Sequence, residues 1–222
     1  AHAERDKVRI EWVRAQQNAW MLQRNTRGRI PVAHAQRQTL VQQMGRIVRQ
    51  SPPPPEQELA LYLVGNLDLN ELADLLVEAV ASQENPKLRR AAANSMGELE
   101  LERLVSRYPS LIEHESDDDV RFHLLRAALR DLSQGYAPPP ALASVLRAQL
   151  QHGLPPRLCA PSLALLGLCG DTDSIDLLSK HARSDAQLFV GIAVTALGRI
   201  GHPRCLDAVL TASRHSDLER RV

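Results

Sequence analysis

Leu166-Gly167-Leu168-Cys169-Gly170-Asp171-Thr172-Asp173-Ser174-Ile175-Asp176 aligns with Leu197-Gly198-Arg199-Ile200-Gly201-His202-Pro203-Arg204-Cys205-Leu206-Asp207, thirty-one residues further on. In both stretches an apolar residue and a glycine close one helical run, and a second run begins about three residues later. The glycines are expected where the first helix ends, because helices commonly stop at a residue with positive φ, which glycine adopts without strain. Asp171 or Asp173 can cap the second helix of one copy by accepting orphan amide protons. Pro203 suits the first turn of the second helix in the other copy. A helix-turn-helix unit recurring at a fixed interval decides the fold before any other feature is weighed.

The same apolar-glycine pair recurs upstream. Val64-Gly65 is followed thirty-two residues later by Met96-Gly97, and the next slot holds Ala128-Leu129, where the glycine is lost. Thirty-eight residues separate Ala128 from Leu166, and an inserted loop at Gly135-Tyr136-Ala137-Pro138-Pro139-Pro140 accounts for the excess. First helices open with a shared signal: Asn85-Pro86-Lys87, Ser116-Asp117-Asp118-Asp119, Ser184-Asp185 and, thirty-two residues after Ser184, Ser216-Asp217. Acidic residues suit these positions because the helix dipole favours negative charge at an N-terminus. The pattern predicts a new helix from Ser216, so the repeats are expected to stop part-way through a unit at Val222.

Composition agrees with helix packing. Hydrophobic residues make up 44% of the chain but aromatics only 3%, so the core must be built of Leu, Ala, Val and Ile. Such a core suits close helix contacts and suits a β-sandwich poorly, since strands favour aromatic and β-branched residues. The net charge of +1 gives no support to a duplex-binding surface, which usually needs concentrated Lys and Arg. Cys159, Cys169 and Cys205 have spacings of ten and thirty-six, which match no zinc motif, and read as small buried hydrophobes in a reducing compartment.

The N-terminal part differs. Residues 4–25 read as a helix, and residues 1–30 carry seven Lys/Arg against three Asp/Glu, a local +4, with Trp12 and Trp20. Two readings stand: the cytoplasmic flank of a removed membrane anchor, or a plain amphipathic helix with Val8, Trp12, Trp20 and Met21 on one side. No stretch approaches the ~18 uncharged apolar residues of a membrane span. Leu40, Val41, Met44, Ile47 and Val48 predict a second helix, and Ser51-Pro52-Pro53-Pro54-Pro55 reads as a stiff extended linker. The expected organisation is an N-terminal helical region at 1–50, a Pro-rich linker at 51–55 and repeats at 56–222.

The run Leu88-Arg89-Arg90-Ala91-Ala92-Ala93 with Met96-Gly97, and the run Ala196-Leu197-Gly198-Arg199-Ile200-Gly201, resemble HEAT repeats. They are most similar to the short bacterial variety also seen in phycobilisome lyases. The resemblance spans about residues 56–222 and implies an all-α fold: a right-handed α-solenoid of antiparallel helical hairpins, a HEAT-like superhelix. Two positions depart from the pattern. Leu129 replaces a glycine, and Pro161 falls inside the expected 156–168 helix, where it removes a backbone hydrogen bond.

Four arginines are the candidate partner-binding residues. Arg89 and Arg121 follow the apolar residue at the same slot of two repeats, where HEAT-like arginines commonly tie one hairpin to the next. Arg183 and Arg214, thirty-one apart, are expected at the ends of second helices, where cations suit the dipole. In such stacks second helices line the inner groove, so these two can also meet an acidic partner. The run Glu113-His114-Glu115-Ser116-Asp117-Asp118-Asp119 is the one dense carboxylate cluster; it lacks the glycine and ligand alternation of a calcium loop and reads as a helix-capping run. His202 and Cys205 read as structural. The chain carries no glycine-rich phosphate loop, no His-Glu-x-x-His and no Gly-x-Ser-x-Gly, so no catalytic residue, metal ligand or cofactor is assigned.

The function expected is a non-catalytic HEAT-repeat scaffold for protein–protein interaction, cytoplasmic, and part of a membrane-associated bacterial complex on the anchor reading. Two other classes share the repeat. A bilin-lyase-like or other enzyme-associated chaperone factor would line the groove with polar or cysteine-targeting groups. A nucleic-acid-binding protein, such as a DNA-lesion glycosylase on similar repeats, would need a basic groove with aromatics, whereas both tryptophans here lie outside the repeats.

Overall fold

The structure, a computed structural model, describes residues 34–50, 53–184 and 187–219, less the side chains of residues 34, 35, 187, 188 and 213–219. The helix expected over residues 4–25, with Trp12, Trp20 and the basic excess, lies outside the described residues. Every regular element among the described residues is helical. In chain order they are α1 (His34–Arg49), α2 (Pro54–Asn66), a 3-10 turn at Asn70–Leu72, α3 (Ala73–Ser82), α4 (Pro86–Leu99), α5 (Glu102–Val105) and α6 (Tyr108–His114). There follow α7 (Asp118–Ser133), α8 (Pro140–His152), α9 (Pro156–Cys169), a 3-10 turn at Thr172–Ser174, α10 (Ile175–Ala182), α11 (Gln187–Ile200) and α12 (Cys205–Glu219).

Local chemistry sets the helix starts. α2, α4, α8 and α9 open on proline, which lacks an amide that would be orphaned there and brings a helical φ. Asn85 caps α4, its Oδ1 accepting from the Lys87 amide at 3.0 Å. Asp117 caps α7, accepting from the Asp119 and Val120 amides at 2.9 and 3.1 Å. α9 runs unbroken through Pro161.

Helices α2, α4, α7, α9 and α11 form one layer, each packed against the next. The shorter segments between them back onto that layer: α3 on α4, α6 on α7, α8 on α9, and α10 on α11. A single core of Leu and Ala runs between, in which Ala91, Ala92, Leu124, Ala128, Leu163, Leu166 and Leu197 are fully sealed. Its one large aromatic is Tyr108. Alanine keeps the axes close and leucine fills the space between them, each buried leucine contributing about 1.5–3 kcal/mol.

The repeat glycines explain how successive helices meet, and their role differs from the expected one. Gly65, Gly97, Gly167 and Gly198 lie inside the last turns of α2, α4, α9 and α11 rather than at left-handed ends. A Cβ on Gly65 would sit 2.9 Å from Ser95 Cα, on Gly97 2.9 Å from Ala127 Cβ, and on Gly167 2.6 Å from Ala196 Cα. Each glycine is the spot where the next helix's backbone comes into contact. The partner is always small and always lies two positions before the next helix's own glycine slot: Ser95 before Gly97, Ala127 before Leu129, Ala196 before Gly198. Ser95 also donates its hydroxyl to the Leu61 carbonyl at 2.8 Å across this seam. The left-handed helix ends expected of these glycines are supplied by Gly170 (φ 63°) and Gly201 (φ 65°), just past the ends of α9 and α11.

Two boundaries move. Pro54 and Pro55, expected in a linker at 51–55, form the first turn of α2. The preceding helix is not separate either: Met44 and Val48 of α1 are buried, and Gln57 of α2 donates to the Val48 carbonyl at 2.9 Å. At the other end α12 continues through Ser216-Asp217 to Glu219, so no new helix opens there.

The glycine seams make opposite predictions at equivalent slots. Gly97→Ala and Gly167→Ala force backbone apart and are expected to cost about 1–3 kcal/mol each. Around Gly198 a Cβ would meet nothing within 4 Å, so Gly198→Ala should stabilise by roughly 0.5–1 kcal/mol through helix propensity alone. Urea denaturation of the three variants checks the sign at each.

Candidate interaction site

The four sequence-predicted arginines go to different places. Arg89 is held inside the molecule. Its guanidinium grips the Glu115 carboxylate in a two-pronged contact, Nε to Oε2 at 2.8 Å and Nη2 to Oε1 at 2.9 Å. Nη1 donates to the Gln83 and Glu84 carbonyls at 3.0 Å each. Arg89 thus joins the end of α3, the start of α4 and the strand of chain leading into α7. With Glu115 only 4% exposed, the pair is nearly dry. Arg121 stays within its own unit: it donates to the Glu115 carbonyl at 2.5 and 3.2 Å and pairs with Asp118 at 3.2 Å. Arg183 is exposed at the C-terminal end of α10, its amide donating to the Lys180 carbonyl. Arg214 lies within α12, before its end at Glu219, and its side chain is outside the described residues.

Four carboxylates of the acidic run are each engaged separately. Glu115 pairs with Arg89, Asp117 caps α7, Asp118 pairs with Arg121, and Asp119 meets Arg157 of α9. Asp171 does more than meet the amide of Asp173: its carboxylate is held by the Ser174 hydroxyl and by Arg147 of α8. That places an ion pair between α8 and the turn before α10. No group of three metal-competent side chains gathers among the described residues. Cys159 and Cys169 are held as thiols by burial, the latter pushed up to about 12 with Asp171 adding to the effect, and Cys205 is buried at the start of α12. No helix among the described residues is long and apolar enough to cross a membrane.

One buried pair has perturbed acidity. Tyr108 of α6 donates its hydroxyl to Asp131 Oδ2 of α7 at 2.7 Å, while Asp131 Oδ1 finds no donor among the described residues. Burial pushes the Asp131 carboxyl up to about 6, with the Tyr108 hydrogen bond opposing, and pushes the phenol well above its ordinary value. Both side chains are sealed at 0% exposure, and the pair fastens α6 to α7.

The feature that sequence reasoning missed lies on the outer face of α4 and α7. Because Gly97 and Ala127 touch, no bulky side chain fills the seam, and a cleft of about 30 Å³ opens above them. Asn94 and Glu98 of α4 form one wall, and His123, Arg126 and Arg130 of α7 form the other. Arg130 bonds Glu98 at 2.8 Å and the Gly97 carbonyl at 3.0 Å. Beside the cleft, Arg157 lies over the Phe122 ring at 4.1 Å and Arg126 approaches the same ring at 5.7 Å. The His123 ring stands edge-on to Phe122. Burial, and then the positive charges of Arg126, Arg90 and Arg157, lower the proton affinity of His123. Arg126 is exposed and has no ion-pair partner among the described residues. The sequence signal for this site is weak: positions 90, 94 and 98 of α4 and 119, 123, 126 and 130 of α7 follow helical spacing on outward faces.

Leu206 and Leu210 of α12 are 62% and 47% exposed. No protein-family model matches this sequence, and no curated protein is similar to it.

Two outcomes follow. Glu115→Ala leaves the Arg89 guanidinium partly buried and unpaired and should cost about 3 kcal/mol, with Glu115→Gln costing less; chemical denaturation separates them. For Asp131, the folded carboxyl binds its proton more tightly than the unfolded one, whose ordinary value is 3.8. Wild-type stability relative to Asp131→Asn should therefore fall as pH rises from 3.8 through about 6, then level off. Urea midpoints of both proteins across that range test it.

Proposed function

We propose that this protein is a non-catalytic scaffold whose hairpins stack as a HEAT-like α-solenoid and whose surface binds another protein. One observation carries the reading: the same glycine-to-small-residue contact recurs at Gly65–Ser95, Gly97–Ala127 and Gly167–Ala196. A recurring contact gives a recurring rotation, and stacked helical repeats of that kind expose long surfaces suited to extended partners. The polar groups that are buried or strongly perturbed, Arg89 with Glu115 and Tyr108 with Asp131, fasten helices together, which supports a role in holding shape. The resemblance of Leu88–Gly97 and Ala196–Gly201 to HEAT repeats points the same way.

The test is chemical cross-linking of the full chain in its native extract, followed by mass spectrometry, alongside a tetrapyrrole titration followed by absorbance. The scaffold reading expects a defined protein cross-linked at outward helix positions in a fixed ratio, with no new bilin absorbance band. A bilin adduct, or turnover of one, would replace it with the chromophore-handling reading.

A further inference from the structure

We propose that the cleft between α4 and α7 is a docking site for an acidic segment of a partner protein, receiving one carboxylate between Asn94, His123 and Arg126. The proposal rests on the scaffold reading and names where, and by what chemistry, the partner is held. At about 30 Å³ the cleft is far smaller than the roughly 300–1,000 Å³ of a small-molecule pocket. It fits the end of one side chain. The groups around it define which end. Arg126 contributes an exposed guanidinium, Asn94 an amide from the facing helix, and His123 an imidazole, with Arg130 already held by Glu98. A carboxylate accepts from all three donor types, and an arginine–carboxylate contact is among the strongest hydrogen-bonded pairs.

The surrounding charge favours an anion at this point. Arg90, Arg130 and Arg157 each have a carboxylate partner, in Glu58, Glu98 and Asp119. Arg126 has no such partner among the described residues. His123 senses the remaining positive field, since Arg126, Arg90 and Arg157 all lower its proton affinity beyond the effect of burial. Two features favour a peptide over a nucleic acid. Glu58, Glu98 and Asp119 alternate with the arginines; a continuous phosphate backbone along α4 and α7 would meet them in turn, whereas a peptide can bring one carboxylate to the cleft and keep its other side chains clear of them. The Phe122 face is already covered by Arg157 at 4.1 Å, so it offers no platform for a stacked base.

The experiment uses the full chain and fluorescence anisotropy with a labelled glutamate-rich peptide, a matched glutamine-rich peptide and a labelled oligothymidylate. Arg126→Gln and Asn94→Ala are the site variants. Lys180→Gln, at an exposed position of α10, removes the same charge elsewhere. The glutamate peptide should bind saturably and more weakly as salt rises. Arg126→Gln should weaken it about tenfold, Lys180→Gln should leave it unchanged, and the glutamine peptide should not bind. Thermal melts of the variants should match wild type, since Arg126 is exposed. Three results overturn the proposal: no binding of the glutamate peptide, equal binding by Arg126→Gln, or tighter binding of the oligothymidylate. If the peptide result fails while cross-linking still finds a protein partner, the cleft is wrong and the scaffold reading stands.

Discussion

Where Gly97 of α4 meets Ala127 of α7, two helix backbones come closer than any side chain larger than hydrogen would permit. The rest of the architecture follows from that approach and its counterparts at Gly65 and Gly167. Close backbones leave little room between axes, so alanine lines the seams and leucine fills the flanks. The same approach lets Ser95 reach the Leu61 carbonyl, and Arg130 the carbonyl of Gly97 itself. It also leaves the shallow gap in which Asn94, His123 and Arg126 face one another. A van der Waals contact thus positions both the core and the cleft between α4 and α7.

Charge is used at two depths. Near the interior, Arg89 and Glu115 form a two-pronged pair that binds three segments, and their desolvation is offset by further bonds from Arg89 to two carbonyls. Farther out, Arg90, Arg130 and Arg157 reach from one helix of the layer to a carboxylate on the preceding one: Glu58, Glu98 and Asp119. These outer pairs are half-exposed and worth little individually. Their effect is to neutralise the outer face in register with the helices, which makes the unmatched Arg126 stand out.

The repeat was legible because glycine recurs at intervals that no side-chain preference would produce by chance, and so were the helix starts at Asn85 and Asp117. The reason for the glycines was not legible. A glycine before a turn looks the same in sequence whether it supplies a positive φ, as Gly170 does, or yields its space to a neighbouring helix, as Gly167 does. The proline run misled for a similar reason, since Pro54 and Pro55 serve equally well in an extended spacer and in a first helical turn. Arg89 was visible by its slot, but its partner lies twenty-six residues away. Arg126 was missed because its importance comes from a missing partner, and an unmatched charge is a property of packing rather than of spacing.

Leu129 sits where α7 would carry its glycine, and in α9 the position two before Gly167 is Leu165, where α4, α7 and α11 have Ser95, Ala127 and Ala196. The two helices packed at that one junction thus both carry leucine where the other seams join a glycine to a small residue. The hairpins are therefore not interchangeable tiles: one with leucine on its leading side fits behind Leu129 and would collide with a glycine seam elsewhere. The order of units is written into their edges, and internal duplication or deletion in the gene would be tolerated only between seams of the same kind.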